Sequence, residues 1–219
     1  MRIAIAGAGN VGRAIARELL DNGHEVLLID KDPKAMKLQS VPDAEWLMAD
    51  ACEITSLDNA KLNNCQVLVA ATGDDKVNLV ASLLGKTEYG IPRVVARINH
   101  PKNEWLFDTS WGVDVAVSTP RIISALVEEA VSVGDVVRLF SFRKGQANLV
   151  ELTLPDNSSC IGKTVEEIEL PDNASLAAIV RDGQVIAVSA HDVFAAGDEL
   201  LFVASAAAEA QIKDCFIQI

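Results

Sequence analysis

The run Arg2-Ile3-Ala4-Ile5-Ala6-Gly7-Ala8-Gly9-Asn10-Val11-Gly12, followed by Glu25-Val26-Leu27-Leu28-Ile29-Asp30, constrains this chain more than any other feature. An apolar strand, a G-x-G-x-x-G turn, a helix and a second strand ending in an acid describe a βαβ unit built around a dinucleotide. Gly7 permits the tight turn, Gly9 lets backbone approach a phosphate, and Gly12 lets the helix lie close on the strand. Unpaired N–H groups at the helix N-terminus, through Asn10 and Val11, then face the phosphate. Asp30 ends the second strand, where its carboxylate can accept from both hydroxyls of an adenosine ribose and disfavours a 2′-phosphate. A glycine pattern alone also fits a packing turn without ligand; here strand, helix, second strand and acid fall in register.

The 219 residues are half hydrophobic and carry a net charge of −12, shared between the two halves of the chain. No basic face is expected, which argues against nucleic acid as a partner. The first residues read as a strand rather than a signal peptide, and no apolar run approaches the roughly 20 residues that span a bilayer. A cytoplasmic protein is therefore expected. Cys52, Cys65, Cys160 and Cys215 show no C-x-x-C spacing and no clustered histidines. Reduced packing thiols are expected, with neither a metal site nor a disulfide framework.

Further strands are expected at 44–49, 66–71, 93–97 and 114–117, with helical periodicity from Asn78 to Gly85, the glycine near the helix end. Six strands alternating with helices imply an α/β fold with a doubly wound parallel sheet. The pattern changes near Gly134. Strands at 136–142 and 147–154 flank the hairpin signal Arg143-Lys144-Gly145-Gln146. Short strands at 176–181, 185–188 and 200–203, an Asp182-Gly183 turn and a short helix at 165–168 complete a small α+β domain. The expected division is residues 1–134 and 135–219, with a connecting helix from Ile122 to Gly134.

Ligands of open α/β sheets lie beyond the carboxyl ends of the strands. The residues there are Gly7 to Gly12, Asp30-Lys31, Asp50-Ala51, Thr72-Gly73-Asp74 with Asn78, and Arg97. Asp50 suits either an adenine amino group or the cap of the following helix. Asp74 is likewise a natural N-cap as well as a ligand candidate, and Arg97 serves either a phosphate or a surface ion pair. An oxidoreductase using a nicotinamide cofactor would need an acid–base group. The only tyrosine, Tyr89, lacks a lysine four residues on. His24, His100 and His191 read as surface or capping residues. The sequence offers a nucleotide site without reaction machinery, and a nucleotide sensor without a membrane partner is a further alternative.

Gly7-Ala8-Gly9-Asn10-Val11-Gly12, Leu28-Ile29-Asp30, Ala49-Asp50-Ala51, Ala71-Thr72-Gly73-Asp74-Asp75 with Asn78, Ala96-Arg97-Ile98 and Gly112 to Ser118 together resemble the Trk/Ktr potassium-uptake regulators. Their nucleotide domain is also called RCK or KTN. Ile161 to Val165 and Ala196 to Leu200 resemble the small C-terminal domain of the same proteins. The resemblance implies a Rossmann-type domain that binds NAD(H) or an adenine nucleotide (ATP, ADP or AMP). It implies a cytoplasmic regulatory subunit that gates a separate potassium-transporting membrane protein, as a homodimer that often assembles into rings. Many relatives carry Arg where this chain has Asn10, and that cation reaches a terminal phosphate. Asn10 therefore implies little preference for ATP over ADP, or a preference for NAD(H). Relatives often carry an acid after the sixth strand; Ser118-Thr119-Pro120-Arg121 has none, so no acid-dependent bridging cation is expected.

Overall fold

The structure, a computed structural model, describes residues 1–131, 133–142 and 147–217, with only the backbone described at 129 and 130. It divides into two compact units, Met1–Pro120 and Arg121–Ile219.

The first unit is a six-stranded sheet in the order β3-β2-β1-β4-β5-β6. Its strands are β1 Arg2–Ala6, β2 Glu25–Asp30, β3 Glu45–Met48, β4 Val67–Ala70, β5 Arg93–Ile98 and β6 Val115–Ser118. Every pairing is parallel. The sequence explains why: the interiors of the central strands, Ile3 to Ala6, Val26 to Ile29 and Val67 to Ala70, are unbroken apolar runs, so both faces must be covered. Ala4, Leu27, Ile29, Leu68, Val94 and Ala96 enter one core, while Ile3, Ile5, Val26, Leu28 and Val69 enter the other. Helices α1 Asn10–Asp21 and α3 Asp75–Thr87 cover these faces, joined by the short α2 Ile54–Asn59.

Regular alternation of strand and helix fails in two crossovers. Between β2 and β3, and between β5 and β6, the chain makes only 3₁₀ turns, two of which start on Pro33 and Pro101. Proline presets φ for a first turn, at a position where the N–H it lacks has no partner to lose. Gly85, expected near a helix end, lies in the last turn of α3, where a β-carbon would sit 2.4 Å from Leu68 Cδ2. From β1 the chain winds outward through β2 to β3, then returns to pair β4 on the other side of β1. That reversal opens a crevice beyond the ends of β1 and β4.

The second unit begins within α4 Thr119–Val131 and holds an antiparallel sheet in the order β10-β9-β11-β8-β7. The strands are β7 Val136–Ser141, β8 Asn148–Thr153, β9 Ala174–Arg181, β10 Gln184–Ile186 and β11 Glu199–Ala204. Asp182 and Gly183 both have positive φ, 50° and 73°, and close the β9–β10 hairpin. The Arg143-Lys144-Gly145-Gln146 turn lies outside the described residues. The helix expected at 165–168 is a single 3₁₀ turn, Val165–Glu167. Helix α5 Ala206–Phe216, not foreseen, is capped by Ser205 and delivers Phe216 into a core with Phe194 and Phe202.

Candidate functional site

The crevice at the sheet reversal has a volume of about 510 Å³, within the range of small-molecule sites. The turn after β1, the ends of β2 and β3, the loop after β4 and Arg97 on β5 surround it. Its four local glycines divide by what holds them. Gly7 has φ 107°, and a β-carbon there would meet Thr72 N at 2.8 Å; a β-carbon on Gly12 would lie 1.8 Å from Gly7 O. Those two glycines are required by the fold. Gly9 and Gly73 are not: neither has positive φ, and a β-carbon on either meets nothing within 4 Å. Both line the crevice, so the empty volume beside them is where an approaching ligand would be obstructed by any side chain. Gly9 caps α1 without a side-chain acceptor, and the first turn of α1 holds no acid. The helix N-terminus therefore presents backbone donors and a positive dipole end to an anion.

Asp30 stands across the turn. Its Oδ2 accepts from Ala8 N at 2.7 Å and its Oδ1 from Asp32 N at 2.9 Å. A carboxylate has about four lone-pair directions, so each oxygen can accept once more from a ribose hydroxyl. Asp50 accepts from Cys52 N at 2.9 Å and from Lys31 Nζ at 3.0 Å. The Cys52 amide, then Lys31, hold the Asp50 carboxyl below its usual range, and the bond to Asp50 raises Lys31. Asp50 thus fixes its own turn while lining the crevice together with Lys31 and Ala51. Lys31 is largely exposed, and an ion pair at such a rim contributes little to stability.

The loop after β4 is organised by Asn78, which is fully buried. Its Oδ1 accepts from Thr72 N at 2.9 Å and Thr72 Oγ1 at 2.7 Å; its Nδ2 donates to Thr72 O at 3.2 Å and Arg97 O at 2.9 Å. Asn78 does not line the crevice. It shapes the site from beneath. Asp74 caps α3 by accepting from Lys76 N at 2.8 Å, and with Thr72 and Gly73 it lines the wall. Arg97 lines the crevice too, its Nε donating to Thr119 Oγ1 at 3.1 Å. Of the remaining expected residues, Asn10 and Val11 line the crevice, whereas Ala8 is buried with its N–H committed to Asp30.

Sequence reasoning missed the apolar floor of Ile29, Ala49, Ala71 and Val77. These are strand-end residues of ordinary core type, so only their tertiary convergence marks them. It also missed Arg13, which stands on α1 directly behind the glycine turn. His100 caps its 3₁₀ turn by accepting from Lys102 N at 3.2 Å, and His191 faces Glu166 at 3.3 Å; neither lines the crevice. Among the described residues, no cluster of three His, Cys, Asp or Glu side chains is arranged to hold a metal.

The TrkA-N domain model matches residues 3–119, and the TrkA-C domain model matches residues 149–216. The chain is 54% identical over 213 residues to the Trk system potassium uptake protein TrkA of Mycobacterium tuberculosis, covering 97% of each chain. The chain belongs to the TrkA family. Its placement is with these potassium-uptake proteins rather than with the oxidoreductases that share the nucleotide-binding fold. Among solved structures, the GsuK channel bound to NAD matches with a TM-score of 0.70 at 16% identity, over 98% of this chain and 39% of that one. GsuK bound to ADP matches with a TM-score of 0.51 at 26% identity, over 59% of this chain and 34% of that one. This TrkA-family chain thus spans less than half the length of either GsuK chain. Among its described residues no helix is long and apolar enough to cross a membrane.

Proposed function

We propose that this chain is a cytoplasmic regulatory subunit that binds NAD(H) or an adenine nucleotide and thereby gates a potassium-transporting membrane protein. The observation that carries the reading is the pair Gly9 and Gly73. Both line the crevice, and the fold itself requires glycine at neither position. The ligand lies with its phosphates against the Gly9–Val11 turn, its ribose at Asp30, and its adenine over the Ile29, Ala49 and Val77 floor beside Asp50 and Ala51. Thr72, Gly73 and Asp74 form the opposite wall, and Arg97 supplies a cation within reach of the phosphates. The NAD and ADP named for the two GsuK structures, and the family's role in potassium uptake, support this choice of ligand and partner.

The working domains are residues 1–134, which bind nucleotide, and 135–219, which respond. Gating requires that the nucleotide bind one arrangement of the assembly more tightly than another; a ligand indifferent to both shifts nothing. A coupling of roughly 1–3 kcal/mol gives severalfold or greater regulation. The assembly is a homodimer, able to build a ring. Helix α4 supports this: Ile123, Leu126, Val127 and Val131 are 55–76% exposed at helical spacing, an apolar stripe suited to a second copy.

The test is isothermal titration of the full chain with ATP, ADP, NAD and NADH, joined to potassium uptake in cells lacking the chain and complemented with wild type or Gly9→Val. Binding of at least one nucleotide, and restoration by wild type alone, is expected. Failure to bind all four, or full restoration by a Gly9→Val chain, would refute the proposal.

A further inference from the structure

Arg13 follows the third glycine of the turn and is only 8% exposed, although arginine is rarely buried without a charged partner. Its Nη1 donates to Ala8 O, and its Nη2 donates to Asn10 Oδ1 at 2.7 Å. Both partners are neutral. Among the described residues no carboxylate stands within ion-pair distance of it. A buried, unpaired cation is costly. The location adds to the cost, since the positive end of a helix dipole disfavours cations and α1 carries no acid in its first turn. Two independent penalties at one residue call for an anion supplied from outside the chain.

The geometry also fixes Asn10. A guanidinium only donates, so the Asn10 atom facing it must be the carbonyl oxygen. The amide's Nδ2 is thereby left as the donor for the crevice that Asn10 lines. We infer that Arg13, which does not itself line the crevice, is a second cation of the phosphate site beside Arg97, a positioning residue that acts through Asn10. It holds the side-chain amide and the Ala8 carbonyl in place, and its charge strengthens the Asn10 N–H donors toward a bound phosphate. The phosphate in turn is the counter-charge that the buried guanidinium lacks. This inference rests on the nucleotide reading of the crevice.

Full-length wild type, Arg13→Gln and Asn10→Asp are titrated with adenosine, AMP, ADP and NAD, adenosine being followed by competition, with thermal unfolding measured without ligand. Arg13→Gln should weaken AMP, ADP and NAD by about tenfold or more while moving adenosine less than about twofold, the difference being the phosphate. Asn10→Asp places a carboxylate against Arg13; it should raise the unfolding midpoint of the ligand-free protein and weaken the same three ligands. The second variant decides the matter if the first does not fold. Equal losses for adenosine and AMP, or a lowered midpoint in Asn10→Asp, would mean that Arg13 is merely structural. Unchanged AMP affinity in Arg13→Gln, with wild type binding normally, overturns the role alone. A wild type that binds none of the four overturns the nucleotide reading with it.

Discussion

Gly12 is packed so tightly against Gly7 that a β-carbon on Gly12 would lie 1.8 Å from the Gly7 carbonyl oxygen, whereas a β-carbon on Gly9 would meet nothing within 4 Å. The two glycines of one motif therefore fail differently when replaced. Gly12→Ala forces α1 away from β1 and should cost roughly 2–4 kcal/mol of stability. Gly9→Val should leave stability within about 1 kcal/mol of wild type yet abolish nucleotide binding, because its side chain occupies the phosphate position. Urea unfolding followed by tryptophan fluorescence measures the first, since Trp46, Trp105 and Trp111 all lie in the first unit. Titration measures the second. Wild-type affinity in folded Gly9→Val would sink the proposed site.

Asp30 holds Ala8 N and Asp32 N while keeping further acceptor directions free. Asp30→Ala should weaken adenosine nucleotides by roughly 1–3 kcal/mol, the range for lost charge-assisted bonds. It should also relax discrimination against a 2′-phosphate, since the repelling carboxylate is gone. Comparing NAD with NADP on both proteins separates this role from loosening of the turn, which would weaken the two alike.

How much of this was legible in the sequence depends on whether the determining contact is local. The turn from Gly7 to Gly12 and the acid at Asp30 announce themselves because steric demands at fixed spacing admit few residues. Asn78 does not: whether a buried amide faces a ligand or holds Thr72 and Arg97 together is decided by residues 6 and 19 positions away. Arg13 left one unused signal, a cation placed where a helix dipole disfavours it. Helix α5 escaped notice because its run of alanines has weak periodicity, and its Ser205 cap resembles any loop serine.

Asp75 ties α3 to the segment after β5, accepting from Asn99 N at 2.7 Å, His100 N at 3.0 Å and Asn103 Nδ2 at 2.8 Å. Burial pushes its carboxyl up, but the donors of Asn103, Asn99 and His100 together outweigh that and leave it below its ordinary value. A depressed carboxyl contributes stability above the unfolded-state value near pH 4, and that stability is lost as pH falls through the lower folded-state value. Asp75→Asn should therefore lower first-unit stability at pH 7 by roughly 1–3 kcal/mol and flatten its fall below about pH 4. Urea midpoints at both pH values give the answer; an equally steep acid fall in the variant would assign it to other carboxyls.

Asn10→Arg tests nucleotide preference and, through it, the electrostatics of the turn. In the proposed binding mode the outermost phosphate of the wild type meets an amide, so ATP should be favoured little over ADP, or NAD(H) should bind better than either. An arginine at position 10 can reach further and grip a terminal phosphate in two places, which an amide cannot match. It also loses the acceptor for Arg13 Nη2 and sets a second cation beside a buried one. The ligand-free variant should therefore unfold at lower temperature than wild type, while ATP should stabilise it more than ADP does. Unfolding midpoints with and without each nucleotide report both effects. A strong wild-type preference for ATP, or equal gains for ATP and ADP in the variant, would refute the role given to Asn10 and point instead to Arg97 as the residue that meets the last phosphate.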